Sequence, residues 1–590
     1  MGLGPDPSAP APSRPSRGEQ PPLPEWARTL QRRLRQRGTN SFILYGPGVR
    51  DIHPLGARRH GTIGEFLAEV MFADRAVIIL YDRGAGIRFT DSQAEQDFRT
   101  VLKTYDKLGG TNLAQSQPRD PDRALQLLET YLLYQLNENP RFSAALIVDY
   151  TETVAPAGDP GQLPVEDRNS IVTLRRWAAD PMFLRRQVTF CLVSESTAAL
   201  NASLVADART FELLVPVPDE AERYAYLAGR GSTPATFSRI DARKVAVLTG
   251  GLNRLHLESL LAEAEAGGAA LDPEALSREK KRLIEEASGG LLSFLTSKIG
   301  LDAVAGHAGA KALLRQTAAA LRQGRLDVVP MGFLLCGPVG TGKSFIVRCF
   351  AAEIGIPVVE LLNFRSMWQG QTESNLERIL SLLDALGPVA VVVDEADAAL
   401  GNRERRGADS GVSERVFASL AAFMGDTRRR GKVIWFLMTS RPDLVPVDLK
   451  RQGRAEEHIA LFPPATAEER ALVFEALRAR LQIPLESGVE AARLFAEVPH
   501  PMSAADIEAV LVRASRRMAI ENRPALSADL LQELIADFQP PAYPVEIEYQ
   551  RLIAAFECTS RQLLPADLAA LPHEKIAERL TVLRSVMEGR

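Results

Sequence analysis

Short apolar runs alternate with helical patterns along the chain from about Asn40 onward. Each run is short enough for a strand, and its few polar positions indicate burial on both faces of a sheet. Strands that alternate with helices are typical of a parallel sheet covered by helices on both sides. The predicted strands are 41–46, 75–82, 144–150, 188–194, 332–337, 358–361, 389–395 and 433–439.

These strands form two sets of four, so the two halves of the chain share one pattern. Helical patterns at 64–72 and 122–137 separate strands of the first set, and those at 344–354 and 374–386 separate strands of the second. From 465 to 540 the apolar residues recur at helical spacing without any strand signal. We therefore expect an α/β protein with two sheets followed by helices.

The composition narrows the class of protein. A chain of 590 residues is too long for one core, and 46% hydrophobic and 24% charged residues are ordinary for a globular protein. The net charge of −4 gives no electrostatic footprint for nucleic acid. No apolar run approaches the roughly 18 residues that span a bilayer. Four cysteines without metal-ligand spacing indicate reduced thiols. We expect a cytoplasmic protein with neither a membrane span nor a nucleic-acid partner.

A glycine-rich stretch follows the first strand of the second set. It reads GPVGTGKS and fits G-x-x-x-x-G-K-[ST] at every fixed position, between an apolar strand and a helix. Backbone N–H groups of such a loop bind nucleotide phosphate at the helix N-terminus, where the dipole favours negative charge. The alternative is a glycine-rich turn with a surface lysine. The predicted ATP-binding residues are Gly337, Pro338, Val339, Gly340, Thr341, Gly342, Lys343 and Ser344.

Two carboxylates end a buried strand of the same half. The run VAVVVDEAD places Asp394 and Glu395 directly after five apolar residues. We predict that Ser344 and Asp394 bind Mg²⁺, and that Lys343 reaches the β- and γ-phosphates of ATP. Glu395 is predicted to polarise the attacking water as general base. An acidic turn without a catalytic role is the alternative. ATP and Mg²⁺ are therefore the predicted cofactors.

The first half repeats the strand pattern without this chemistry. After its first strand the chain reads GPGVRDIHPLG, with no Gly-Lys-Ser, and Tyr150 follows Asp149 where a carboxylate base is expected. We interpret this half as a degenerate P-loop-like α/β domain that has lost nucleotide binding. An unrelated α/β domain with a tight turn after its first strand is the alternative.

The second half resembles the AAA ATPases, a clade of ring-forming protein remodellers. Residues 439–454, TSRPDLVPVDLKRQGR, are similar to that clade's second region of homology. The resemblance implies that Arg451 and Arg454 are arginine fingers that face the γ-phosphate held by a neighbouring subunit. Surface arginines beside a glycine turn are the alternative. Ser440 stands at the first-sensor position, where the family usually has Asn, and this departure allows slower hydrolysis.

Two further stretches resemble the same family. Residues 366–379, SMWQGQTESNLERI, are similar to its first pore loop, with Trp368 at the aromatic position and Gln369 in place of the usual aliphatic residue. The resemblance implies that Trp368 contacts a threaded polypeptide; a tryptophan buried against a helix is the alternative.

The lid turn SAAD has Ala504 in place of the family's Gly, and residues 304–306 lie where the family packs backbone against adenine.

A narrower resemblance covers roughly residues 40 to 540. The degenerate first domain, the connector REKKRLIEE…GGLLSFL and residues 408–424, ADSGVSERVFASLAAFM, resemble those of AAA proteins of cyanobacteria and some algal plastid genomes. This resemblance implies a P-loop NTPase core, with a parallel sheet sandwiched by helices, a helical AAA lid and a degenerate domain before them. The predicted domains are a disordered Pro-rich leader (1–24), a degenerate ATPase-like domain (25–230), a helical connector (231–300), an AAA ATPase core (301–464), a helical lid (465–540) and a helical tail (541–590).

Two functions of different classes fit these residues. The leading hypothesis is an Mg²⁺-ATP-hydrolysing ring, a hexamer, that remodels or threads protein partners or adaptors bound through the first half. The second is an ATP-gated oligomeric scaffold with slow hydrolysis, which Ser440, Gln369 and the degenerate first half favour. The charge and the absence of a recognisable DNA- or RNA-binding module disfavour a nucleic-acid motor. The sequence does not name the substrate.

Overall fold

The computed structural model divides the chain into two compact units, unit 1 up to Ile284 and unit 2 from Glu285. The residues that it describes are 23–36, 38–56, 58–109, 112–113, 118–159, 161–230, 241–266, 273–362, 372–400, 410–496, 498, 501–539 and 543–588.

Unit 1 is an α/β sandwich followed by helices. Its strands are β1 (Ser41–Tyr45), β2 (His53–Pro54), β3 (His60–Gly61), β4 (Val77–Asp82), β5 (Gly86–Phe89), β6 (Ala144–Val148), β7 (Val188–Ser194) and β8 (Thr210–Leu214). Its helices are α1 (Glu25–Gln36), α2 (Ile63–Phe66), α3 (Ser92–Gly109), α4 (Pro121–Glu138), α5 (Val165–Ala179), α6 (Pro181–Arg185), α7 (Ala202–Val205), α8 (Glu220–Arg230), α9 (Ala242–Leu248), α10 (Arg254–Ala266) and α11 (Pro273–Ala287), the last of which runs into unit 2.

The main sheet of unit 1 has the order β5-β4-β6-β7-β1-β8. All neighbours are parallel except β5, which runs antiparallel to β4. One core lies on each face: Phe98, Leu128 and Trp177 belong to the first, and Trp26 and Phe66 belong to the second. Burial on both faces explains why the central strands are nearly continuous apolar runs.

Unit 2 repeats this arrangement with a larger helical complement. Its strands are β9 (Leu292–Phe294), β10 (Gly332–Cys336), β11 (Val358–Leu361), β12 (Val389–Val393), β13 (Val433–Thr439) and β14 (Glu457–Ala460). Its helices are α12 (Ala308–Arg322), α13 (Lys343–Ala351), α14 (Thr372–Ala385), α15 (Ala396–Leu400), α16 (Ser410–Met424), α17 (Val447–Lys450), α18 (Ala467–Leu481), α19 (Ala491–Ala496), α20 (Ala504–Glu521), α21 (Ala528–Asp537), α22 (Pro544–Glu557), α23 (Ala566–Ala569) and α24 (His573–Glu588).

The two main sheets share one strand order. Unit 2 has the order β14-β10-β13-β12-β11-β9, with β9 antiparallel at the edge. Numbered from the first long parallel strand of each unit, both sheets read 5-1-4-3-2 with an antiparallel edge strand added beside strand 2. The predicted α/β class and the eight predicted strands are confirmed. The sequence prediction missed the edge strands β5, β8, β9 and β14.

Two helical groups complete unit 2. The first, α18 to α21, closes around a core of its own that contains Phe474, Phe495 and Leu511. The second, which we call the C-terminal tail (residues 543–588), packs Tyr549 and Ile553 against the outer strand of the sheet and the start of the glycine-rich loop. Within the described ranges, no helix is both long and apolar enough to cross a membrane.

A buried ion pair joins the loop after β1 to helix α10 in unit 1. The guanidinium of Arg254 lies 2.8 Å from Asp51 Oδ2, and the two side chains are 5% and 0% exposed. Asp51 Oδ1 also accepts the backbone N–H of Arg254 at 2.8 Å, so the carboxylate caps the first turn of α10. Burial raises the pKa of Asp51, and the nearby Arg254 opposes that rise.

Removing one member of this pair is expected to loosen unit 1. Arg254→Met leaves the Asp51 carboxylate buried without its cation, a change that typically costs about 3–5 kcal/mol. Hydrogen exchange of the full-length chain should therefore quicken at least about 100-fold in the peptides around Asp51 and the start of α10. Arg28→Met breaks the exposed pair with Glu25 and serves as the control. Equal exchange in the two variants would contradict the importance of the buried pair.

Candidate nucleotide-binding site

The glycine-rich loop joins β10 to α13, and three of its glycines have a positive φ that other residues rarely adopt. Gly337 has φ of +146°, and a Cβ there would lie 2.0 Å from the backbone oxygen of Leu461. Gly340 has φ of +80°, and a Cβ would meet Ser503 Oγ at 2.7 Å. Gly342 has φ of +86° at the N-cap of α13, and a Cβ there would point into open space. The loop therefore leaves room beside the first turn of α13, where backbone N–H groups attract an anion.

Lys343 is held inside this loop. Its Nζ donates to the carbonyl oxygens of Gly337 at 2.9 Å and Pro338 at 3.0 Å. Burial lowers the pKa of its ammonium group below the ordinary value. Carbonyl oxygens are weak partners for a buried cation, so a phosphate group at the N-terminus of α13 would be a stronger partner for the same ammonium.

Ser344, Asp394 and Glu395 lie together at the end of β12. Ser344 Oγ donates to Asp394 Oδ2 at 2.8 Å, and the N–H of Glu395 donates to Asp394 Oδ1 at 2.8 Å. A hydroxyl and a carboxylate next to a phosphate-binding loop are the oxygen ligands that Mg²⁺ prefers. The donor set therefore fits the predicted ion.

Glu395 has an unusual backbone. Its φ is +48°, in the left-handed region that non-glycine residues rarely adopt, at a typical cost of about 1 kcal/mol or more. Its carbonyl accepts the N–H groups of Ala398 at 2.8 Å and Ala399 at 2.9 Å, so the strained residue also starts helix α15. The turn fixes the direction in which the chain leaves β12 and so positions the predicted base.

A cavity of about 360 Å³ adjoins the loop. Its wall includes Val304, Gly306 and His307, so the segment predicted to contact adenine does line it. His307 has φ of +48°, and burial lowers the pKa of its imidazole, which favours the neutral ring. The size and the mixed apolar lining are those of a small-molecule pocket.

The predicted arginine fingers lie after α17. The Nε of Arg451 is 3.8 Å from Asp448 Oδ1, and its side chain is exposed. Arg454 donates to the carbonyl oxygen of Asp448 at 2.7 Å, and burial lowers the pKa of its guanidinium. Among the contacts of the described residues, these two arginines pair with Asp448 and not with the glycine-rich loop of their own chain.

Ser440 follows β13 and is half-buried. Its neighbour Thr439 donates through Oγ1 to Asp397 Oδ1 at 2.6 Å, a link between β13 and α15 that sequence reasoning did not find. Trp368, the predicted pore-loop residue, lies outside the described residues.

In unit 1 the Asp149–Tyr150 turn after β6 has the backbone geometry of the Asp394–Glu395 turn but different side-chain contacts. The N–H of Tyr150 donates to Asp149 Oδ1 at 2.8 Å, and Tyr150 has φ of +50°, as Glu395 has +48°. The guanidinium of Arg50 lies 2.6 Å from Asp149 Oδ1 and 3.7 Å from the centre of the Tyr150 ring. It also lies 3.3 Å from Glu195 Oε1. A side chain of the protein therefore supplies the cation at the carboxylate that corresponds to Asp394.

Comparison with known families matches both units. Residues 9–216 match the N-terminal Rossmann-like domain of AAA+ chaperones, and residues 221–289 match their second helical domain. Residues 333–462 match the domain of the ATPase family associated with various cellular activities, AAA. The range 221–289 covers α8 to α11 and crosses the boundary at 230 that the sequence suggested.

Individual relatives match part of the chain. Protein SAV of Sulfolobus acidocaldarius is 30% identical over 216 residues, 35% of this chain and 27% of its own. The cell division cycle protein 48 homolog of Archaeoglobus fulgidus is 32% identical over 212 residues, 35% of this chain and 28% of its own. The AAA domain-containing protein ycf46 of Trieres chinensis is 28% identical over 234 residues, 38% of this chain and 46% of its own. The chain matches less than half the length of each of these relatives.

The matched AAA domain contains the glycine-rich loop, the Asp394–Glu395 turn and the two arginines on one sheet. The chain therefore carries a domain of the AAA family of ATPases, a family of ATP-hydrolysing enzymes, at residues 333–462. The resemblance to the algal-plastid AAA proteins is likewise supported by the ycf46 match.

Nucleotide binding is expected to depend on unit 2 alone. In the full-length chain, Lys343→Ala removes the ammonium from the loop, and unit 1 offers Arg50 paired with its own carboxylates in place of a phosphate site. Titration with a fluorescent ATP analogue should then show no saturable binding, while the exposed-site control Lys432→Ala binds normally. Micromolar binding that survives Lys343→Ala would contradict the degenerate interpretation of unit 1.

Proposed function

We propose that the chain binds Mg²⁺-ATP in unit 2 and hydrolyses it, and that it does so as a ring, a hexamer, that acts on protein partners. The observation that supports hydrolysis most is the cluster of Ser344, Asp394 and Glu395 beside the loop that holds Lys343. Such a cluster brings a phosphate-binding lysine and a magnesium-binding pair from the start of α13 and the end of β12 next to a carboxylate base.

The residues have separate roles in this proposal. The N–H groups of residues 340–344 and the ammonium of Lys343 bind and orient the phosphates. Ser344 and Asp394 would hold Mg²⁺, which would supply positive charge to offset that of the phosphates. Glu395 takes a proton from the attacking water, and its strained backbone keeps its carboxylate at the end of β12. The cavity lined by Val304, Gly306 and His307 receives the adenine of ATP.

Ring formation is supported by the exposure of Arg451, a predicted arginine finger. A phosphoryl-transfer site normally has a cation that stabilises charge on the transferred group. Arg451 is 60% exposed in its side chain and is held only loosely by Asp448, so a neighbouring subunit is the natural place for its target. Arg454 is anchored to the Asp448 backbone, which suits a residue that positions the turn between subunits.

Protein partners are supported by the matched families. The two models that cover unit 1 describe AAA+ chaperones, and the net charge of −4 does not favour nucleic acid. We propose that unit 1 provides the surface for a protein substrate or adaptor, and that Trp368 acts on the substrate. A cytoplasmic location accords with the free cysteines Cys191, Cys336 and Cys349, which are buried thiols.

A second function, an ATP-gated scaffold with slow hydrolysis, is favoured by one residue. Ser440 offers a shorter side chain and one hydroxyl where the family usually has the carboxamide of Asn, so its hold on water or phosphate is weaker. In that case the site binds ATP and assembles the ring, but turnover is too slow for mechanical work.

Glu395→Gln should separate binding from turnover. The variant keeps the size and the turn but lacks a base, so the affinity for ATP should stay within about threefold while kcat falls at least about 100-fold. The measurements are phosphate release and fluorescent-nucleotide titration, with Glu490→Gln at an exposed lid position as the control. Normal turnover in the Glu395→Gln variant would show that Glu395 is not the general base.

Mixed assemblies should test the role of the arginines across subunits. Arg451→Ala/Arg454→Ala chains keep the phosphate site and lack the fingers, and Lys343→Ala chains lack the nucleotide and keep the fingers. Each alone should be nearly inactive, but some interfaces of a mixed ring pair an intact loop with an intact finger. Partial ATPase activity should therefore return on mixing. Persistent inactivity, with co-assembly shown by native mass spectrometry, would place the action of the arginines within their own chain.

A further inference from the structure

The C-terminal tail contacts the glycine-rich loop directly. The side-chain oxygen of Gln550, on α22, accepts the backbone N–H of Val339 at 3.1 Å. One residue further on, the carbonyl oxygen of Gly340 accepts the N–H of Ala505, at the start of α20, at 3.3 Å. The turn at Val339–Gly340 is therefore held from both sides, by the tail through its N–H and by the lid through its carbonyl.

Neighbouring residues of the tail fix its position on the sheet. Tyr549 is fully buried, and its hydroxyl donates to Asp443 Oδ2 at 2.9 Å. Asp443 also pairs with Arg441, just after Ser440. Thr559 pairs with the edge strand, since its N–H donates to the carbonyl oxygen of His458 at 3.2 Å. With these anchors on both sides of it, α22 presents Gln550 to the loop from a rigid support.

The same tail reaches the helix before the arginine fingers. Lys450, the last residue of α17, pairs with Glu557 at 2.5 Å, and both side chains are largely buried. Farther along, residues 562–565 form part of the wall of the 360 Å³ cavity that the segment 304–306 also lines. The tail thus contacts the phosphate loop and the helix that precedes the arginine fingers, and it lines part of the cavity proposed for adenine.

We infer that the C-terminal tail is a working part of the nucleotide site, and that Gln550 is a positioning residue that holds the phosphate loop in its binding geometry through the N–H of Val339. A loop whose backbone binds phosphate must keep its N–H groups aligned before the ligand arrives. With no Gln550 oxygen, the Val339 amide loses its partner, and the turn loses the restraint that the tail supplies. This inference rests on the proposed nucleotide site in unit 2.

Gln550→Met tests the inference in the full-length chain, because methionine keeps the length of the side chain and lacks a strong acceptor. The loss of one hydrogen bond from a preorganised loop should weaken binding of a fluorescent ADP analogue about threefold or more. KM for ATP should rise by a similar factor while kcat stays within about twofold, since Gln550 touches no reacting atom. Ile547→Ala, at an exposed position of the same helix, is the matched control and should leave both constants unchanged.

A second measurement keeps the test sharp if Gln550→Met lowers the melting temperature. Hydrogen exchange of the nucleotide-free chain should quicken in the peptide that contains Val339 in Gln550→Met and not in Ile547→Ala. Unchanged exchange together with unchanged ADP affinity would overturn the positioning role. Equal losses of kcat and affinity in both variants would also overturn it, because they would indicate a general packing role for the tail. A wild-type chain without ATP turnover counts against the proposed function instead, since ADP binding tests Gln550 without hydrolysis.

Discussion

Each unit has a carboxylate directly after a central parallel strand, Asp149 in unit 1 and Asp394 in unit 2. Such a carboxylate needs a positive or hydrogen-bonding partner, and the two units differ in the partner that they supply. In both units this carboxylate accepts the N–H of the next residue, which is forced into a left-handed backbone. In unit 2, Asp394 is paired with the hydroxyl of Ser344, and Lys343 is held nearby by carbonyl oxygens. These partners are exchangeable, so an ion and a phosphate can take their place. In unit 1, Asp149 is paired with a fixed guanidinium.

This difference in side-chain partners distinguishes two sheets that share one strand order. The cation at Asp149 belongs to Arg50, which also contacts Glu195 and the face of Tyr150. Arg50 thus pairs with the Asp149 carboxylate without a bound ligand, and the buried pair of Asp51 and Arg254 ties the same loop to α10. The protein therefore supplies its own cation at this turn in unit 1, whereas the turn in unit 2 adjoins a glycine-rich loop and a cavity.

Much of this could be predicted from the sequence, because the central strands and the phosphate loop depend on local patterns. The edge strands could not, since β8 carries Glu212 in its middle and β14 is only four residues long. Arg50 was visible as a cation after the first strand in GPGVRD, but its partner Asp149 is about a hundred residues away and is brought close only by the sheet. The tail was predicted as helical, yet the surface on which a helix packs is set by tertiary contacts such as that of Gln550 with Val339.

The central claim is that the chain has one nucleotide site, in unit 2, although it has two sheets of the same topology. The most direct measurement is the stoichiometry of Mg²⁺-ATP binding to the full-length Glu395→Gln chain by equilibrium dialysis, under conditions where hydrolysis does not deplete the ligand. We expect one nucleotide per chain at saturation. Two nucleotides per chain would show that Arg50 does not close the site of unit 1, and none would contradict the assignment of the phosphate loop.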